Sequence, residues 1–152
     1  MTHVQVRIVP DTFSWTKSGN LHGCIAIAAD GIVFPSADWR DFVSVLVDSF
    51  AQAALSLIRN EVLSAEVSFM EGPFVLRVQS NSRVDWQMHF VDRTELQEST
   101  YTMKFAIRPF LVSILSALDQ VELAFRAHVP ERSDELIRLN SRKKELQRAI
   151  IA

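Results

Sequence analysis

The segment from Phe34 to Ile58 has the longest run of helical spacing in the chain, and the other segments have to be arranged around it. Its apolar side chains recur at steps of three and four residues, which places them along one side of a helix. They are Trp39, Phe42, Val43, Leu46, Phe50, Ala54 and Leu57. Pro35 disfavours helix at the residue before it. Ser36 or Asp38 can cap the first turn, and Asp38 and Asp41 place negative charge there. We therefore expect a central helix of about five to six turns that begins just after Pro35.

Short segments on both sides of this helix alternate between apolar and polar residues, the period of a half-buried strand. The alternating segments are residues 3–9, 21–29, 32–34, 65–70, 74–79, 84–90 and 101–107. Asp30-Gly31 predicts a tight hairpin, and Thr12 to Asn20 reads as an irregular arm that carries Phe13 and Trp15. One face of each strand is apolar and the other is mixed, which is typical of an antiparallel sheet covered on one side only.

Two further helices are predicted after the last strand. Pro109 is tolerated in the first turn of a helix that ends near His128, and its buried stripe is Phe110, Ile114, Leu118, Val121 and Phe125. Residues 131–152 predict a charged helix, with acidic residues early and basic residues late. We expect residues 1–152 to form a single α+β domain. Its architecture would be a single-layer antiparallel sheet of about six strands, packed on one face by the long central helix and a C-terminal helix pair.

The charge distribution bears on the choice of partner. Residues 1–100 contain 12 acidic and 7 basic side chains, whereas residues 101–152 contain 6 acidic and 9 basic ones. An acidic body argues against nucleic-acid binding, because phosphate contacts need a basic face. It suits a basic protein partner. The run Arg142-Lys143-Lys144 ends a helix that has acidic residues at its other end, which is typical of a solvated face.

The sequence predicts a cytoplasmic protein with no membrane partner. The N-terminus lacks the pattern of a signal peptide, and no stretch reaches about 18 apolar residues. The chain has one cysteine, Cys24, which favours a reducing compartment.

No constellation of residues predicts catalysis, so we expect a protein that is not an enzyme and has no cofactor and no metal. His22, His89 and Asp85 could form a metal site if their strands were neighbours, but their spacing fits no ligand motif and solvated histidines are favoured. Cys24 lies mid-strand among apolar residues, and none of the serines lies in a nucleophile elbow. The alternative is a small-ligand-binding or enzymatic α+β domain, with its pocket between the central helix and the arm that carries Phe13 and Trp15.

The polar face of the predicted sheet is the better candidate for a binding site. A flat platform of mixed charge does not suit small ligands, which prefer concave and mostly apolar pockets, but it can bind another protein. The candidate partner-binding residues are Glu66, Arg77, Asp85, Gln87 and His89. The wider face would also include His22, Ser68, Gln79, Thr102 and Lys104.

Three segments of the chain carry a resemblance to a known group of proteins. They are the Asp30-Gly31 hairpin, the helix entry Phe34-Pro35-x-x-x-Trp39-x-Asp41-Phe42, and the hairpin Phe69-Met70-Glu71-Gly72-Pro73-Phe74, which is followed by alternating strands and Trp86. In this pattern the chain resembles small bacterial immunity proteins of contact-dependent and polymorphic toxin systems. The resemblance implies a non-catalytic inhibitor, monomeric or weakly dimeric, that binds a cognate toxin domain and covers its active site. Many such toxins are nucleases, whose basic surfaces an acidic protein would complement. The resemblance transfers no individual residue role.

Overall fold

The structure, a computed structural model, describes residues 2–82, 85–128 and 133–151. Within these residues the chain forms eight strands and three helices, which confirms the predicted α+β class. The strands are β1 (Val4–Trp15), β2 (Leu21–Ala29), β3 (Ile32–Phe34), β4 (Arg40–Phe42), β5 (Ser64–Ser68), β6 (Phe74–Ser80), β7 (Asp85–Asp92) and β8 (Ser99–Ala106). The helices are α1 (Val43–Ile58), α2 (Ile107–His128) and α3 (Asp134–Ile151). Val84 in the predicted 84–90 strand, and residues 131, 132 and 152 of the predicted last helix, lie outside the described residues.

The strands are divided between two antiparallel sheets, where the sequence led us to expect a single layer of about six strands. In the first sheet β2 lies between β1 and the two short strands β3 and β4, and the second has the order β5-β6-β7-β8. The sheets meet at one parallel bridge between Thr2 and Phe105, where the amide of Ala106 donates to the carbonyl of Thr2 at 3.0 Å. Pairing stops there because β8 ends at Ala106 and α2 begins at the next residue.

The core lies where α1 meets the two sheets and the other two helices. This helix contacts β2 and β4 of the first sheet and β5 and β6 of the second. Leu46, Phe50 and Leu57 are buried on it, as the predicted stripe requires. Most of the predicted inward residues of the strands are buried too, and they include Leu21, Ile25, Ile27, Val67, Leu76, Val78, Trp86, Met88, Phe90 and Phe105. Tyr101 differs, since it is exposed.

The predicted start of the central helix is wrong. The helix begins at Val43 and not after Pro35, and its N-cap residue, Phe42, makes no side-chain capping bond. Residues 40–42 form β4 instead and pair with His22, Gly23 and Cys24 of β2. No acidic residue lies in the first turn of α1, and the carboxylate of Asp41 is fully buried and accepts four hydrogen bonds.

The expected irregular arm is also wrong, because β1 continues through it to Trp15. The pairing of β1 with β2 shifts between Val9 and Ser14. At this shift the Thr12 hydroxyl accepts from the amide of Cys24 at 2.8 Å and donates to the carbonyl of Val9 at 2.6 Å. The hydroxyl thus replaces a direct backbone bond and allows the strand to continue past the irregularity.

The C-terminal helices form as predicted, with one difference in their charges. Helix α2 begins two residues before Pro109, still within the turn where a missing amide is tolerated, and its predicted stripe is buried. The basic run on α3 is not simply solvated. Arg142 pairs with Asp48 of α1 at 2.8 Å, and Lys143 pairs with Asp119 and Glu122 of α2. Among the described residues, no helix is both long enough and apolar enough to cross a bilayer.

Candidate protein-binding face

The sheet of β5 to β8 brings four polar side chains into one row. Its register pairs Glu66 with Arg77, Arg77 with His89, and His89 with Thr102. Directly paired residues of antiparallel strands point to the same face, so the row crosses all four strands. Three of the five predicted binding residues, Glu66, Arg77 and His89, therefore lie side by side.

A second row lies next to the first on the same face. Gln79 of β6 pairs with Gln87 of β7, which pairs with Lys104 of β8. Asp85 lies two residues before Gln87 and belongs to the same face, opposite Ala106. All five predicted binding residues therefore share one face of the β5–β8 sheet. We call it the polar face.

Ion pairs organise one end of the polar face. The guanidinium of Arg77 contacts the Glu66 carboxylate at 2.7 Å, and Arg93 approaches the same oxygen to 3.7 Å. Arg93 also pairs with Glu98 at 2.7 Å, and its amide donates to the carbonyl of Pro73. Pairs this exposed contribute little to stability, but together they hold the two arginines over the sheet.

His89 is the most constrained side chain in the row. Its Nδ1 forms a hydrogen bond with the Thr102 hydroxyl at 2.8 Å. Partial burial, together with the positive charge of Arg77, lowers the pKa of His89 below its ordinary value. The imidazole is therefore neutral at pH 7, and the row has one anionic, one cationic and two neutral members.

Two atoms on the polar face are buried without a hydrogen-bond partner among the described residues. They are Nε2 of His89 and Oδ1 of Asp85. Native structures contain few such atoms, and each one calls for a structural or functional reason.

The condition for a cluster of His22, His89 and Asp85, that their strands be neighbours, is not met. His22 lies in β2, which belongs to the other sheet, and its ring packs edge-on against Phe42 with centroids 5.4 Å apart. Of the residues that the structure describes, no three His, Cys, Asp or Glu side chains are grouped so as to hold a metal ion. Cys24 is half-buried in β2, and its sulfur lies 3.9 Å from the carbonyl oxygen of Asp38.

Sequence reasoning missed the role of Asp41. Oδ2 accepts from the Trp39 indole at 3.0 Å, from the amide of Met70 at 2.9 Å and from the amide of Glu71 at 3.2 Å, while Oδ1 accepts from the amide of Phe42 at 2.7 Å. One buried carboxylate thus joins the segment before α1 to the turn between β5 and β6. The sequence interpretation treated Asp41 as a negative charge at the start of the helix, and no local pattern in the sequence signals its buried role.

The helix-entry motif (34–42) and the hairpin motif (69–74), which carry the resemblance to immunity proteins, are therefore in direct contact. Aromatic rings extend the contact: Phe34 and Trp39 from the first motif both pack edge-on against Phe69 and Phe74 from the second. Gly72 adds to it, because a Cβ atom there would lie only 2.5 Å from Cη2 of Trp39. This cluster fixes one end of the polar-face sheet to α1.

The ligand-binding alternative placed a pocket between the central helix and the arm that carries Phe13 and Trp15. In the structure the end of this arm packs against α2 instead. The ring of Trp15 stacks on that of His128, with centroids 3.9 Å apart, and packs edge-on against that of Phe125, with centroids 4.9 Å apart. This part of β1 therefore lies against α2. A groove of about 630 Å³ lies elsewhere, around the C-terminal end of α1. Its apolar lining includes Leu57, Ile58, Leu63, Trp86, Ile107 and Leu111.

Comparison of the chain with protein-family models, with curated proteins and with solved structures finds no match.

Proposed function

We propose that this chain is a non-catalytic immunity protein that binds a cognate bacterial toxin domain and covers its active site. The observation that carries the proposal is the polar face: a row of Glu66, Arg77, His89 and Thr102 across four strands, with a second polar row beside it. Strands hold such side chains more rigidly than loops do, and a preorganised surface loses less entropy on binding.

The chemistry of the polar face fits a protein partner better than a small molecule. It presents carboxylate, guanidinium, imidazole, amide and hydroxyl groups on a pleated surface, whereas small ligands need enclosure. The side chains that the sheet contributes to the core, among them Leu76, Met88 and Phe105, lie on its reverse side, so a partner can approach from the polar side without disturbing the core. An interface of standard size, about 800 Å² on each partner, would extend over both rows.

Two further features support a toxin as the partner. The motifs that resemble those of immunity proteins pack together through Asp41 and its aromatic neighbours. The first hundred residues also have an excess of acidic over basic side chains, which would speed association with a basic toxin domain such as a nuclease.

The test is co-expression of this chain with the product of the gene directly upstream of its own. We expect a one-to-one complex in solution and survival of cells that the toxin alone would kill. A toxin that kills equally well in the presence of this chain, with no complex on gel filtration, would remove the proposal.

A second candidate function, small-ligand binding or catalysis, is favoured by the groove at the end of α1. Its volume of about 630 Å³ and its mainly apolar lining with a few polar groups, among them Asn60, Ser80 and Asn81, are in the range of small-molecule sites. Thermal shift screening with small apolar and amphipathic ligands tests it. Stabilisation that is lost in Leu63→Asp would favour this second candidate over the immunity function.

A further inference from the structure

The outer edge of β1 presents backbone groups that β2 does not use. The amide of Val6 donates to the Ser113 hydroxyl of α2 at 2.9 Å, so it points away from β2. The amide of Ile25, which lies opposite Ile8, donates to the carbonyl of Trp39 at 3.1 Å, on the far side of β2. Hydrogen-bonded and non-hydrogen-bonded pairs alternate in an antiparallel ladder. Ile8 and Ile25 therefore form a non-hydrogen-bonded pair, and the N–H and C=O of Ile8 both point outward.

Of these outward groups, the amide of Val6 is occupied by the Ser113 hydroxyl, whereas the groups of Ile8 are free in the part of the chain that the structure describes. Strand β8 reaches the first sheet only at Thr2 and does not continue along β1. The outward amide of Ile8 makes no hydrogen bond to any residue that the structure describes. An unpaired strand edge of this kind is a template for another extended chain.

A groove lies along this edge. Its volume is about 530 Å³, and it is bounded by residues 5–8 of β1 on one side and by α2 on the other. The helix contributes short side chains to it, Ser113, Ser116 and Ala117, which leave room beside the strand. Gln120 also lines the groove, and its Oε1 is buried without a hydrogen-bond partner among the described residues. A peptide N–H in the groove could donate to this oxygen.

The charge beside the groove is positive. Arg7 lines it, and Arg108 precedes Pro109, which also lines it. Both arginines are exposed, and neither pairs with a carboxylate in the part of the chain that the structure describes. This local charge is opposite to the acidic excess of residues 1–100. The groove therefore complements an acidic ligand.

We propose that the groove between β1 and α2 binds an extended acidic segment of a partner polypeptide, which pairs with β1 through the free N–H and C=O of Ile8. Main-chain hydrogen bonds would provide the affinity in this mode, and the arginines would select acidic side chains. This surface lies on the first sheet and is distinct from the polar face, so the inference goes beyond the proposed immunity function.

The experiment is an NMR titration of the ¹⁵N-labelled full chain with three synthetic peptides. The first is acetyl-Glu-Val-Thr-Val-Glu-amide, the second has lysine in place of both glutamates, and the third keeps the glutamates but has proline in place of both valines. We expect the first peptide to shift the amide resonances of residues 5–9 and 113–120 and to slow hydrogen exchange at Ile8. The lysine peptide should bind more weakly because of its charge, and the proline peptide because it cannot complete the ladder.

Two variants make the result specific to the groove. Ser116→Trp fills the groove from the exposed side of α2 and should abolish the shifts, while Arg7→Glu should weaken binding of the glutamate peptide by about threefold or more. Each variant is first checked for a dispersed native spectrum. Equal binding of the three peptides, shifts that fall on other residues, no shifts with the glutamate peptide, or unchanged binding by Ser116→Trp would each overturn the proposal.

Discussion

The carboxylate of Asp41 accepts a hydrogen bond from the backbone amide of Met70, with Oδ2 and N 2.9 Å apart. The two residues belong to separate motifs, and the bond ties the entry of α1 to the β5–β6 turn. The carboxylate is fully buried, so the donors around it have no alternative partner in water.

Replacing Asp41 with asparagine should therefore be strongly destabilising. The asparagine amide accepts through one position only, so its NH₂ group opposes either the amide of Phe42 or the donors of Trp39, Met70 and Glu71. We expect a loss of about 2–3 kcal/mol in the free energy of unfolding, measured by urea denaturation. The matched control is Asp38→Asn, an exposed change three residues earlier, which should stay within about 0.5 kcal/mol. Equal stabilities for the two variants would show that the buried carboxylate has no structural role.

The contact between Gly72 and Trp39 gives a second prediction. A Cβ atom at position 72 would lie 2.5 Å from Cη2 of the indole, so Gly72→Ala should cost about 1–3 kcal/mol through overpacking. Phenylalanine has no atom that reaches as far as Cη2. The cost of Gly72→Ala should therefore fall sharply in a Trp39→Phe background. Denaturation of the wild type, the two single variants and the double variant measures this coupling, and strictly additive effects would contradict it.

The alternating strands could be predicted from the sequence because each one is specified locally. Ile25 and Ile27, or Trp86 and Met88, alternate with less buried neighbours, and the period alone identifies the core face. The positions of the five polar-face residues followed from the same rule. The Asp30-Gly31 turn was also specified locally, and both residues have the positive φ that this hairpin needs.

The errors concern contacts between distant segments. Residues 40–42 have helical spacing, but they pair with residues 22–24 and form β4. The Asp41 carboxylate also accepts a hydrogen bond from the backbone amide of Met70, a contact between distant segments that no local pattern encodes. His22 was expected on the same sheet face as His89 because the alternation rule gives the face of a strand and not the sheet to which it belongs. The division into two sheets has the same cause, since strand order is not encoded in any local pattern.

Ion pairs between α3 and α1 give a third prediction. The side chains of Arg142 and Asp48 are only 19% and 16% exposed, and they lie 2.8 Å apart. Arg142→Ala leaves Asp48 largely desolvated without its partner, which should cost about 1–2 kcal/mol, less than for a fully buried pair. Hydrogen exchange should become faster along α3. The control is Arg138→Ala, whose partner Glu135 lies on the same helix and is exposed, and this change should have an effect of about 0.5 kcal/mol or less.

The environment of His89 gives a fourth prediction. Its pKa in the folded protein is lowered by partial burial and by Arg77, so the unfolded chain takes up the proton first as the pH falls. The contribution of His89 to stability is therefore complete above about pH 6.5, the ordinary pKa of histidine, and decreases as the pH falls below that value. Thermal melts between pH 7.5 and pH 5 should show a smaller loss of stability for His89→Gln than for the wild type. His22→Gln, in the other sheet, is the control, and an identical pH profile for His89→Gln and the wild type would contradict the prediction.

The polar face gives the last prediction, which depends on the proposed immunity function. Arg77 lies at the centre of the row, between Glu66 and His89, and central arginines are often the residues that dominate binding energy. Arg77→Ala should weaken toxin binding at least about tenfold, mostly through faster dissociation, while the fold is preserved because the side chain points away from the core. Lys17→Ala is the control, since Lys17 is exposed near the β1–β2 turn of the first sheet. Surface plasmon resonance with immobilised toxin measures both variants. If Lys17→Ala weakened binding and Arg77→Ala did not, the binding surface would lie on the first sheet and the polar face would have no part in it.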